Sequence, residues 1–127
     1  MNTEHKYQVK VAADAFFLPD QSNEANDQFV FAYTVKITNV GTQPAKLLSR
    51  HWVITDGQSN IQEVRGMGVV GEQPVIAPGA TFEYTSGSSL ETSVGTMHGT
   101  YQMVAEDGTK FDAPIPTFTL SVPRVLH

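Results

Sequence analysis

A chain of 127 residues, 40% hydrophobic and 17% charged, has the length of one domain and enough apolar material for a single core, which argues against a second domain and against a disordered chain. With no cysteine there are no disulfides, thiolate metal sites or cysteine nucleophiles, a composition that fits a reducing compartment. Eight Lys and Arg against thirteen Asp and Glu give a net charge of −5, and the basic residues are scattered, so the phosphate-neutralising stripe of a nucleic-acid binder is missing.

The opening, MNTEHKYQVKV, lacks the apolar run of a signal peptide, and Met1 to Lys6 is expected to fray. Tyr7, Val9, Val11 and Ala13 alternate with other residues and predict a first strand over 6–17. PDQSNEAND, 19–27, reads as a polar loop. The clearest strand is 28–39, where Phe29, Phe31, Tyr33, Val35 and Ile37 alternate with Val30, Ala32, Thr34 and Lys36 before the turn Asn39-Val40-Gly41.

The next strand, 46–56, contains LLSRHWVIT and mixes apolar and polar residues on both parities, which predicts a bulge or a partly covered outer face. Its Trp52, the single tryptophan, is expected to fill the core rather than to stack on a ligand. Asp56-Gly57 then turns the chain into a strand over 60–65, and Ala77-Pro78-Gly79 has type II turn chemistry ahead of a strand over 80–86. TSGSSLETS, 85–93, reads as a loop in which Ser and Thr cap their own backbone. A strand over 97–106 places Tyr101 where a tyrosine corner would lie, and Asp107-Gly108 signals a hairpin into a last strand, 110–122. Pro114, Pro116 and Pro123 predict that this strand is an edge, or bends sharply near Ala113–Pro116, and does not pair continuously with a second copy.

Turns every ten residues or so, with no helical stripe and no apolar stretch near the roughly 20 residues of a membrane span, predict an all-β, two-sheet antiparallel sandwich of the immunoglobulin or fibronectin type III kind. About seven strands are expected in one domain spanning 1–127.

Four stretches, FVFAYTVKITNVG at 29–41, LLSRHWVITDG at 47–57, VRGMGVVGEQPVIAPGATFEYTSG at 64–87 and MHGTYQMVAEDG at 97–108, together resemble the bacterial ApaG family over nearly the whole chain. The resemblance implies a fibronectin type III-like sandwich with no established reaction. It also implies a gene neighbourhood beside a dinucleoside tetraphosphate hydrolase, a likeness to interaction modules in eukaryotic F-box and polymerase-interacting proteins, and family-level links to cobalt tolerance and magnesium efflux.

Gly66-Met67-Gly68-Val69-Val70-Gly71 matches the G-x-G-x-x-G dinucleotide pattern literally, but Glu72-Gln73-Pro74 follows and no helix can begin there to supply its N-terminus to a phosphate. The plain reading is a glycine-rich inter-strand loop. The alternative is an anion-binding nest for a nucleotide or polyphosphate, with Arg65 as charge partner and Glu63 and Glu72 opposing it.

His5, His51, His98 and His127 share no ligand spacing, though His51 and His98 fall on neighbouring strands and are weak candidates for a divalent metal pair. No G-x-S-x-G elbow is present. The expectation is a cytoplasmic, non-enzymatic module with no cofactor, no nucleic acid and no membrane. It would be a monomer or weak homodimer that meets a protein partner through Arg65–Pro74 together with Arg50 and His51. Within that surface Arg65, Gly66, Met67, Gly68, Val69, Gly71 and Arg50 are the partner- or anion-binding candidates, with Met67, Val69 and Val70 either exposed to the partner or buried under the loop.

Overall fold

The computed structural model describes residues 6–123. Eight strands follow one another: β1 (Val9–Phe17), β2 (Phe29–Asn39), β3 (Ala45–Asp56), β4 (Ile61–Met67), β5 (Val75–Ile76), β6 (Thr81–Leu90), β7 (Val94–Ala105) and β8 (Lys110–Ser121). They form two antiparallel sheets, ordered β1-β2-β6 and β4-β3-β7-β8, with the short β5 pairing β3 beyond the end of β4. That strand order is the fibronectin type III arrangement of the two-sheet sandwich.

The core follows from period-two alternation. In β2 the side chains of Phe31, Val35 and Ile37 are fully buried, each burial contributing roughly 1.5–3 kcal/mol. In β3 the register slips between Leu47 and Ser49, so the inward set changes parity, with Leu47 before the bulge and Trp52 and Ile54 after it. This slip is the physical reason that LLSRHWVIT mixes apolar and polar residues on both parities. Trp52 is buried, its ring meeting Tyr33 at 5.5 Å, Phe118 at 5.8 Å and Tyr101 at 6.3 Å between centroids, so it is a core residue.

β8 is the edge of its sheet, and its register against β7 slips between Met97 and Gly99. Pro116 and Thr117 bulge there, and the inward set changes from Ala113 and Ile115 to Leu120. Of the two alternatives expected for this strand, the edge position holds, and the irregularity beside Pro116 is a bulge. Gly99 lies opposite the slip, and a Cβ on it would stand 2.0 Å from the carbonyl oxygen of His51, so only glycine lets β3 and β7 approach.

The turns behave as their residues dictate. Gly79 has φ +83° and the Ala80 amide donates to the Ala77 carbonyl, while Gly108 has φ +90° and its amide donates to the Ala105 carbonyl. Asn39 is 1% exposed and spends its side chain on backbone, Nδ2 donating to the carbonyls of Gln43 and Ile76 and Oδ1 accepting from the Gly41 amide. The polar stretch 19–27 holds two single 3₁₀ turns, Pro19–Gln21 and Glu24–Asn26. Of the start expected to fray, residues 1–5 lie outside the described residues, and the Lys6 carbonyl accepts from the Thr42 amide at 3.1 Å.

Two expectations are corrected. TSGSSLETS is a strand as far as Leu90, because its backbone pairs the edge of β2 from Thr38↔Thr81 to Phe29↔Leu90 and this ladder overrides the weak strand preference of Ser and Gly. Tyr101 is no tyrosine corner. It sits in the middle of β7 and shares a hydrogen bond with the Tyr84 hydroxyl across the sheets at 2.5 Å, instead of bonding the backbone upstream.

Candidate functional site

β1 and β8 pack together and close one side of the sandwich, while the other side lies between β6 and β4, the remaining edges of the two sheets. Directly paired strand residues share a face, so Tyr33↔Ser86 and Phe31↔Ser88 put both serines on the inner face of β6, between buried Tyr84 and Leu90. Inward positions of a sandwich are normally apolar, and two small hydroxyls there leave space unfilled. Across the gap, β4 aligns Gln62 with Ile54, Val64 with Trp52 and Gly66 with Arg50.

A continuous groove results. One section of about 280 Å³ lies beside Tyr33, Arg50, Met67 and Ser86, and a second of about 320 Å³ beside Arg50, Trp52, Gln62 and Ser88. A third section of about 560 Å³ shares Ile54, Gln62 and Ser89 with the second and reaches Asp27, Asp56 and Glu91.

The guanidinium of Arg50 is the cation of this groove. Its Nη1 donates to the carbonyls of Met67 at 3.1 Å and Gly68 at 2.8 Å. Gly66 makes the room for it, since a Cβ on Gly66 would stand 2.7 Å from the guanidinium carbon. The two ion pairs among the described residues, His51–Glu63 at 2.7 Å and Arg65–Glu63 at 3.6 Å, do not involve Arg50. Three tyrosines stand near it. Burial raises the pKa of Tyr33, with the Ser86 hydroxyl bond and the Arg50 charge offsetting part of the shift. Burial pushes Tyr84 up to about 12, and Tyr101 is raised further by burial, then by Tyr84.

The glycine motif folds as a two-residue hairpin turn. The Val69 amide donates to the Glu72 carbonyl at 2.8 Å and the Glu72 amide to the Val69 carbonyl at 2.9 Å, with Val70 at φ +43° and Gly71 at φ +82°, the signs of a type I′ turn. A Cβ on Gly68, which has φ +62°, would stand 2.2 Å from the Glu72 carbonyl oxygen, so this glycine is needed for closure. Val69 is buried at 1% exposure, whereas Met67 at 70% and Val70 at 52% face solvent, which divides the three apolar residues of the motif.

This geometry opposes a phosphate cradle at the motif. The amides of Gly68, Val69 and Glu72 are used by backbone carbonyls, and the motif turns two of its own carbonyls, not amides, toward Arg50. Arg65 pairs with His51, so it lies with His51 and Glu63 on the outer face, opposite Arg50. Of the candidates, Arg50, Met67, Val69 and Gly71 meet at the groove end beside Val70, and Arg65 does not join them.

On that outer face His51 and His98 border one shallow depression of about 370 Å³, as their neighbouring strands predict. His51 Nε2 bonds Glu63 Oε1 at 2.7 Å, and no group of three or more His, Cys, Asp or Glu able to hold a metal occurs among the described residues. His5 and His127 lie outside those residues. The groove residues that sequence reasoning missed are Ser86, Ser88 and Gln62; the signal was the period-two set Tyr84, Ser86, Ser88, Leu90, which requires the strand to run past 86.

The ApaG domain family model matches residues 19–105. Protein ApaG of Nitrosospira multiformis is 62% identical over 122 residues, 96% of each chain, and Protein ApaG of Dechloromonas aromatica is 58% identical over 127 residues, the whole of both. The crystal structure of a Bordetella pertussis protein named ApaA superposes with a TM-score of 0.90 at 55% identity, covering 94% of this chain and 97% of that one. No helix among the described residues is long and apolar enough to cross a membrane.

Proposed function

The chain belongs to the ApaG family, and from that premise we propose that it is a non-enzymatic protein-interaction module whose partner docks along the groove between β4 and β6 and on the glycine turn beside it. The observation that carries this reading is the polar inner face of β6. Ser86 and Ser88 occupy positions that would ordinarily be filled by core side chains, and they leave two strand edges open to a partner backbone. The exposed side chains of Met67 and Val70 stand at one end of that opening. Among the described residues no imidazole stands beside the groove hydroxyls, because His51 and His98 lie on the far face of the second sheet. The partner is a cytoplasmic protein on this reading.

A photo-crosslinking amino acid placed at Met67, at Ser89 or, as a control, at Thr119 on β8 tests it in cells of the native host. Crosslinked adducts of one common partner are expected from the first two positions and none from the third. Equal labelling from Thr119, or no adduct at the groove, would remove the groove as the docking surface.

A further inference from the structure

Resting on the docking reading and narrowing it, we infer that the groove recognises an extended protein segment bearing one carboxylate side chain, which pairs with the edge of the Arg50 guanidinium that the glycine turn leaves free. Only Nη1 of Arg50 is held by the Met67 and Gly68 carbonyls; Nη2 and Nε make no hydrogen bond among the described residues, and no carboxylate there pairs with it. A half-buried guanidinium held on one nitrogen by two neutral carbonyls keeps its other donors for the groove, and a carboxylate is the group that those donors fit in bidentate fashion. Trp52 lines the same section, and its indole N–H is buried without an acceptor.

The shape of the groove selects the rest of the occupant. It follows β6 from Tyr84 and reaches Glu91 just past the strand's end, and at about 3.3 Å per residue that is roughly 20–25 Å, room for six or seven residues in extended form. β6 bonds β2 on one side and offers its other edge to such a segment. Asp27, Asp56 and Glu91 line the far end, so a run of acids is repelled there and a neutral or basic tail is favoured. The same far end, together with a single guanidinium, disfavours a polyphosphate, since Arg65 is bound to Glu63 on the opposite face.

The test is a ¹H–¹⁵N titration of the full chain with two pools of capped heptapeptides. The central residue is Glu in one pool and Gln in the other, with flanks randomised over Ser, Thr, Val and Lys, and sodium pyrophosphate forms a third arm. The Glu pool is expected to shift amides of residues 84–90 and the Arg50 Nε resonance, binding about tenfold or more tighter than the Gln pool. Arg50→Gln should remove that preference. It can also loosen the glycine turn, so Ser88→Phe provides a second variant that fills the groove while sparing the turn, and it should abolish binding of both pools with the melting temperature maintained. Equal affinity for the Glu and Gln pools overturns carboxylate recognition and leaves docking intact. Pyrophosphate binding at the same amides as tightly as the Glu pool overturns it in favour of a small anion. If neither pool binds, the inference fails. Crosslinks from Met67 and Ser89 that persist in Ser88→Phe would then sink the docking reading too, whereas crosslinks lost in that variant would preserve it.

Discussion

Tyr84 and Tyr101 join their two buried hydroxyls in one hydrogen bond across the sheets. Each hydroxyl is satisfied only by the other, at 2.5 Å, amid Trp52, Phe118 and other apolar side chains. Replacing one by Phe strands its partner, which costs about 1–3 kcal/mol, whereas replacing both removes the need for a partner. Urea denaturation of Tyr84→Phe, Tyr101→Phe and the double variant should therefore give a double loss smaller than the sum of the singles by about 1 kcal/mol. The same pair sets the response to alkali. Burial raises Tyr84 from 10.0 to about 12 and Tyr101 further, so the folded state holds these protons more tightly than the unfolded chain. Their contribution to stability is fully present below pH 10 and declines as the pH rises from 10 through about 12. Additive single losses, or an alkaline decline unchanged in the double variant, would show that the hydroxyls act independently.

Among the elements, the hairpin turn at Val70-Gly71 conflicts with its own sequence. A type I′ turn wants Asn or Gly at its first central position, and a β-branched valine at φ +43° is strained by an amount on the order of 1–3 kcal/mol. Val70 is half exposed, so core packing does not account for its presence, and on the docking proposal the strained side chain serves the partner surface. Val70→Asn, which makes an Asn-Gly turn, should raise stability by about 1 kcal/mol while lowering crosslinking yield from Met67. Unchanged crosslinking would mean that the strain serves something other than docking. The G-x-G-x-x-G string was legible as a loop without a helix, but its turn type was not, because nothing local announces valine at positive φ. β2, Trp52, the β3 bulge and the edge position of β8 were legible, since each is written in parity and proline placement along one segment. β6 past Ser86 was not, because its strand form comes from pairing with β2, and Ser and Gly carry no propensity that would reveal it. The groove was illegible for the same cause, as it exists only where β6 and β4 end their sheets without meeting.

For the whole molecule, the four outer strands of the two sheets are not equivalent, and this decides how two copies can meet. β1 and β8 pack on each other at the closed side. Pro114 and Pro116 remove amide donors from β8, and its register breaks at Pro116 and Thr117, so no unbroken ladder can run along it. β1 presents exposed Lys10 to solvent. β6 and β4 carry no proline, and they border the groove. The single Arg50 and the acidic far end give that side opposite charges at its two ends, so two copies meeting there antiparallel would gain weak attraction. The expected outcome is a monomer by sedimentation at micromolar concentration. Chemical-shift changes between micromolar and millimolar protein should be confined to residues 62–67 and 84–91 and absent from 111–121. Ser88→Phe should remove them. Concentration-dependent shifts running through 111–121 would mean that β8 pairs between copies despite its prolines, and the edge argument would fall.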